Sequence, residues 1–219
     1  MTEPWTIQSA VPGVAWPGLP LPGGAQVLGL LHQFEDSQWW SEAELLERQQ
    51  GQLELLLTHA YETVPYYRER WGKAPDAARL HELPLLTRRD LQERFSDLKS
   101  RATPPGHGAI HEASTSGSSG TPVRVQKTAL VDALWSAFTL RDHLWHRRDL
   151  GKKLAVIRNR TPLLAAAPEL ADNWGPATAT VVATGQCLTL GTETDIASLL
   201  ERLVREHPAY LLTYPLIAA

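Results

Sequence analysis

The chain has 219 residues, 43% of them hydrophobic and 21% charged, with eight tryptophans and a formal net charge of −3. That is enough chain for one substantial α/β domain with a small extension, needing no disulfide or metal staple. The charge balance argues against a nucleic-acid partner, no apolar run approaches the roughly 20 residues of a membrane span, and the lone Cys187 excludes an internal disulfide or a Cys-based zinc site and suits a reducing, cytoplasmic setting.

Residues 1–40 read as a Pro/Gly-rich arm. The stretch PGVAWPGLPLPGG, Pro12 to Gly24, cannot form a helix interior, and Trp5 and Trp16 are expected to pin the arm by burying their rings. Ser41 followed by Glu44 is a capping box that opens a helix over Ser41–Val64. Leu45, Leu46, Leu53, Leu56, Leu57, Ala60, Tyr61 and Val64 share one face of it, Gly51 invites a bend, and Pro65 stops it. A short helix is expected around Tyr66–Trp71. Thr87, with Asp90 three residues on, caps another, and Thr128–Arg148 reads as a longer one with Leu130, Leu134, Phe138 and Leu144 among its apolar positions.

Beyond it the pattern changes. Leu154–Ile157 and Thr178–Ala183 read as buried strands. Thr194 is expected to cap a helix over Asp195–Glu206 with Ile196, Leu199, Leu200 and Leu203 inward, and Pro208 ends it before a strand at Ala209–Tyr214. Strand, capped helix, strand is a βαβ unit, which predicts a mostly parallel sheet flanked by helices behind a helical N-terminal lead. The fold class is therefore α/β. PLIAA follows directly on the last strand, where the next crossover helix should begin, so the end reads as a cut.

Between these halves lies STSGSSGTPVRV, Ser114 to Val125. Gly117 and Gly120 allow positive φ and leave backbone amides uncovered, which suits an anion-binding concavity, and Ser116, Ser118, Ser119 and Thr121 add hydroxyl donors. Ala109–Glu112 and Val123–Gln126 on either side are short enough to be strands, so the segment is expected to be a hairpin tip. It matches neither the nucleoside-triphosphatase P-loop nor GxGxxG. By composition alone it could also be a flexible connector.

This segment resembles the phosphate-binding loop of the adenylate-forming acyl- and aryl-CoA synthetases, in the form shown by the phenylacetate–coenzyme A ligase branch and its capsule-biosynthesis relatives. LLTHAYETVPYYRERW (Leu56–Trp71), LPLLTRRDLQERFSDL (Leu83–Leu98) and YLLTYP (Tyr210–Pro215) are similar to that branch in the same order, so the resemblance covers residues from about 40 to 219. It implies an incomplete N-terminal domain over 41–219, with a helical part at 41–108 and a phosphate-loop and α/β part at 109–219. It also implies an enzyme that joins a small carboxylic acid to ATP with Mg²⁺, releases pyrophosphate, and passes the acyl group from the adenylate to coenzyme A. Ser116, Gly117, Ser118, Ser119, Gly120 and Thr121 would hold the β and γ phosphates. Where many relatives carry a lysine, this chain has Thr121 and Arg124, and Arg124 either supplies that charge or points to solvent. The family's adenine contacts, Mg²⁺-binding acid and catalytic lysine would lie beyond Ala219, so no catalytic residue and no metal ligand is assigned, and the chain alone is expected to be inactive.

Two alternatives stand beside this: a non-catalytic scaffold or interaction module keeping part of the fold, and an unrelated phosphate-binding domain. An exposed sheet edge would also invite two copies to pair as a homodimer. Of the remaining candidates, HLWHRR (His143–Arg148), flanked by Asp142 and Asp149, reads as a solvated helix end, and His143 and His146 as surface histidines without a third metal ligand. Trp135, Phe138 and Trp145 are expected in the core, with an acyl pocket as the other option. Tyr66 and Tyr67 are assigned to helix packing and Cys187 to the core.

Overall fold

A computed structural model describes residues 6–115, 121–159 and 169–218. Its helices and strands are α1 (Pro22–Ser37), α2 (Glu42–Thr63), α3 (Pro65–Trp71), a 3₁₀ helix (Ala77–Glu82), α4 (Arg88–Glu93), β1 (Ile110–Ser114), β2 (Arg124–Thr128), α5 (Ala129–Trp145), β3 (Leu154–Arg158), β4 (Leu170–Ala171), α6 (Pro176–Ala179), β5 (Cys187–Gly191), α7 (Ile196–Glu206), β6 (Tyr210–Leu212) and α8 (Pro215–Ala218). The architecture is mixed α/β. Contacts divide the chain into two compact units, one spanning Gln33–Asp132 and the other joining the chain up to His32 with Ala133 onward. The hairpin β1–β2 thus groups with the helical segment, whereas the sequence placed it with the α/β part.

In the 33–132 unit, α2 starts where its sequence dictates. The Ser41 hydroxyl accepts from the Glu44 amide while the Glu44 carboxylate accepts from the Ser41 amide, which satisfies two orphan donors of the first turn. That engagement with Ser41 holds the Glu44 carboxyl below its usual range. The helix runs through Gly51 without interruption, against the expected bend. Leu57, Ala60 and Val64 are buried, but Leu46 and Leu56 are exposed, so the inward face is narrower than predicted. Pro65 then opens α3, and Gly72 closes it in the left-handed conformation at φ 68°. Tyr66, 2% exposed, packs edge-on to Tyr67 at 5.4 Å between ring centroids, as the packing assignment requires. Thr87 and Asp90 form a second capping box at α4.

In the other unit a four-stranded sheet has the order β4-β5-β3-β6. β3 lies at its centre and pairs in parallel with β5 (Val156 opposite Thr189) and with β6 (Val156 opposite Leu212), while β4 pairs antiparallel with β5. α7 carries the chain from β5 past β3 to β6, which makes a βαβ unit, though its first strand is Cys187–Gly191 and not the predicted Thr178–Ala183. Alternation along β3 splits the core between two faces. Ala155 and Ile157 pack with Leu188, Leu190 and Leu199 on one, and Leu154 and Val156 with Cys187 on the other. Burial of four consecutive residues in β3 is what a parallel strand covered on both faces requires.

Several expectations are corrected here. The arm gives way at Pro22 to α1, because Pro22–Gly24 occupy its first turn, where proline costs no hydrogen bond. Trp16 is 88% exposed and pins nothing, and Trp5 lies outside the described residues. Thr178–Ala183 is not a strand. Gly175 and Pro176 wind it into the single turn α6, and Val181 and Val182 are fully buried beyond it, Val182 bridging to Ile7. The strand falls instead at Cys187–Gly191. Asp195, not Thr194, caps α7, accepting from the Ser198 amide. Leu199 is buried and Leu203 packs beside it, whereas Ile196 and Leu200 stand exposed. No helix among the described residues is long and apolar enough to cross a membrane.

Candidate functional site

The Gly/Ser-rich segment joins two antiparallel strands, as its flanking β-branched and polar residues predict. β1 and β2 pair in register from Ile110 opposite Thr128 to Ser114 opposite Arg124. One further rung follows, with the Thr115 amide donating to the Val123 carbonyl at 2.9 Å and the Val123 amide to the Thr115 hydroxyl at 3.0 Å. Ser116, Gly117, Ser118, Ser119 and Gly120 lie outside the described residues. Thr121 and Arg124 are described, and both are exposed.

The base of this hairpin is held from a distant segment. The capping box of α4 fixes the start of that helix, and the Gln92 side-chain amide donates to the Thr121 carbonyl at the loop's C-terminal arm. Phe95, just past α4, is buried and carries two cations on its ring: the Arg124 guanidinium at 4.3 Å and the Lys99 ammonium at 4.5 Å from the centroid. Arg124 is therefore neither an isolated solvent-facing arginine nor the only basic group present. Lys99 pairs with Glu112 of β1 at 2.7 Å, and this bond, with a smaller contribution from Arg124, holds the Glu112 carboxyl below its usual range. Two cations against one carboxylate leave the hairpin base with one net positive charge, which suits an anion held above it.

Gln92, Phe95, Lys99 and Glu112 were not singled out in the sequence. Nothing local marks them, since their roles depend on how α4 and the segment after it fold onto β1 and β2.

The geometry fits phosphate better than a bare metal. The base is cationic, Glu112 is already engaged by Lys99, and among the described residues no group of three His, Cys, Asp or Glu side chains is placed to hold an ion. Mg²⁺ would have to arrive with the nucleotide's own oxygens.

The remaining candidates lie in the other unit. Trp135 is 69%, Phe138 50% and Trp145 55% exposed, so none is a core residue. α5 buries Ala137 and Leu140 instead. Cys187 is buried and free, as assigned, and burial pushes its thiol up, opposed in smaller part by the Thr189 hydroxyl and the Arg158 charge. His146, on the surface, approaches Asp142 at 3.4 Å.

His143 departs from the surface assignment. It is half-buried and edge-on to Trp174 at 5.2 Å. Arg148 donates to His143 Nδ1 at 2.9 Å and to Asp142 Oδ2 at 2.5 Å. Arginine only donates, so Nδ1 must carry a lone pair and the imidazole is neutral. Burial, then the Arg148 charge, lowers its pKa. A lowered folded value means that the unfolded chain binds this proton more readily. Stability from His143 is therefore complete above its ordinary value of about 6.5 and is lost as pH falls from there through the depressed folded value. Denaturant unfolding between about pH 8 and pH 5 should show this loss in the parent chain and a flatter profile in His143→Gln.

No protein-family model matches the chain, and no curated protein matches it.

Proposed function

We propose that this chain carries the phosphate-holding part of an AMP-forming carboxylate–CoA ligase. What supports this reading most is the hairpin: the segment that resembles the family's loop connects two paired strands, and Arg124 and Lys99 add positive charge beside them, which a slack connector does not need. The order of the four family-like stretches is in keeping with it.

In this proposal the amides and hydroxyls of Ser116–Thr121 receive the β and γ phosphates of ATP, with Arg124 and Lys99 supplying positive charge below. A carboxylate oxygen of the acid attacks the α-phosphorus, the bond to the bridging oxygen breaks, and its electron pair leaves with pyrophosphate. Hydrogen-bond donors of the loop would stabilise the charge that accumulates on those oxygens. Coenzyme A then displaces AMP from the acyl carbon through its thiol.

Calorimetric titration of the chain with ATP·Mg²⁺ and with Mg²⁺·pyrophosphate tests the assignment. Both should bind, and Ser118→Ala combined with Ser119→Ala should weaken both by about fivefold or more, the equivalent of roughly one net hydrogen bond. Equal affinity in the double variant would overturn it. Indifference of the parent chain to both ligands would favour the scaffold alternative.

A further inference from the structure

Helix α2 spans 22 residues, yet it buries only Leu57 and Ala60, both in its last two turns. From Glu42 to Leu56 every residue is exposed or half-buried. Helices in folded proteins draw most of their stability from packing an apolar face, and Gly51 in mid-helix weakens this one further. About four turns of α2 thus stand without the packing that usually holds a helix.

Those turns are not polar. Leu46, Gln49, Leu53 and Leu56 recur at alternating steps of three and four residues, the spacing of a seam made against another helix. Leu46 and Leu56 are more than half exposed and Leu53 is half-buried. The stripe runs on into the buried Leu57 and Ala60, so it prolongs the face by which α2 packs on its own unit. Leu55, also exposed, lies on the far side of the helix.

Charge selects what can cover this stripe. From Glu35 to Glu62 the chain has seven carboxylates and a single arginine or lysine, Arg48, whose guanidinium lies over the Trp40 ring at 4.9 Å from its centroid. Glu42 stands at the head of the stripe, and Glu47 and Glu54 follow along one flank. Glu44 is engaged in the capping box, but no ion pair holds Glu42, Glu47 or Glu54 among the described residues. A second copy laid on this face would set five carboxylates of one α2 against five of the other. Nucleic acid or an anionic membrane would be repelled by the same field.

We propose that the exposed stripe of α2 is a docking surface for a basic amphipathic helix of a partner protein. The partner's apolar face covers Leu46, Leu53 and Leu56, and its lysines or arginines meet Glu42, Glu47 and Glu54. The surface belongs to the Gln33–Asp132 unit and does not rest on the ligase reading.

The probe is a synthetic peptide of repeated heptads with leucine at positions a and d and lysine at e and g, and its counterpart carries glutamate in place of each lysine. Titrated with the full chain at low salt and followed by fluorescence anisotropy, the lysine peptide should bind about tenfold more tightly than the glutamate peptide, and added salt should narrow that gap. Leu46→Gln should weaken the lysine peptide by about fivefold, whereas Leu55→Gln should leave it unchanged. Glu47→Lys combined with Glu54→Lys should erase the preference for lysine. Hydrogen exchange at the amides of Glu42–Leu53, fast in the free chain, should slow in the complex. Equal binding of the two peptides, an equal loss in Leu46→Gln and Leu55→Gln, or a preference that survives the charge reversal would overturn the proposal. A dimer of the free chain that Leu46→Gln dissolves would also overturn it, because a second copy would then be the occupant. Should circular dichroism show α2 weakened in Leu46→Gln, the charge-reversal variant carries the same test.

Discussion

Gly185→Ala is expected to destabilise the protein by about 3 kcal/mol, the upper range for overpacking, because the added methyl has backbone and not side chain for neighbours. A Cβ at this position would fall against the carbonyl oxygens of Gly151 and Lys152. Those oxygens cannot rotate away as a flexible side chain would. The same stretch is fixed by three bonds: the Gly185 amide to the Leu150 carbonyl at 2.8 Å, the Leu154 amide to the Gln186 carbonyl at 2.9 Å, and the Trp174 indole to the Lys152 carbonyl. Relief of the clash must therefore disturb the start of β3 or the approach to β5. Denaturant unfolding should show a lower midpoint with an unchanged slope. A loss below about 0.5 kcal/mol would show that the close approach is not maintained in solution.

Leu188→Ala should cost about 3 kcal/mol as well, for a different reason. Leu188 is fully buried in β5 among Ala155, Ile157, Leu190 and Leu199, so truncation removes its transfer energy and leaves a void that strands on either side cannot readily close. Leu200→Ala is the informative partner. It neighbours Leu199 in α7 but is 57% exposed, and its loss should stay within about 0.5 kcal/mol. Similar losses at the two positions would mean that α7 is rotated from the orientation described.

These two leucines show what the sequence could and could not disclose. Local chemistry was legible. Ser41 with Glu44 and Thr87 with Asp90 announced their capping boxes, because both partners lie within one turn. The hairpin was legible too, since strand-like residues stand on either side of the loop and the alternative, a linker, has no use for them. Facing was not. α7 carries apolar residues on two stripes, Leu199 with Leu203 and Ile196 with Leu200 and Val204, and only the sheet decides which of them is covered. Val181 and Val182 misled for a related reason: β-branched and fully buried, they look like a strand, yet Gly175 and Pro176 turn the chain beforehand and Ile7, far away in sequence, supplies the bridge. The same limit hid the surroundings of Arg124. Its place on the Phe95 ring beside Lys99 is set by tertiary packing, and no spacing in the sequence encodes it.

The division of the chain has a consequence for how it is made. The unit at Gln33–Asp132 is contiguous, whereas the other is assembled from two separated pieces, with the Gln8 amide bonding to the Val181 carbonyl and Ile7 bridging to Val182. A ribosome emits the inner unit whole before any of β3, β5 or β6 exists, so all the chain its contacts need is available first. The outer one must wait for strands synthesised after it and then recapture a leading segment that has been outside the tunnel throughout. Because closure entropy rises only slowly with loop length, that delay costs little equilibrium stability and bears chiefly on rate.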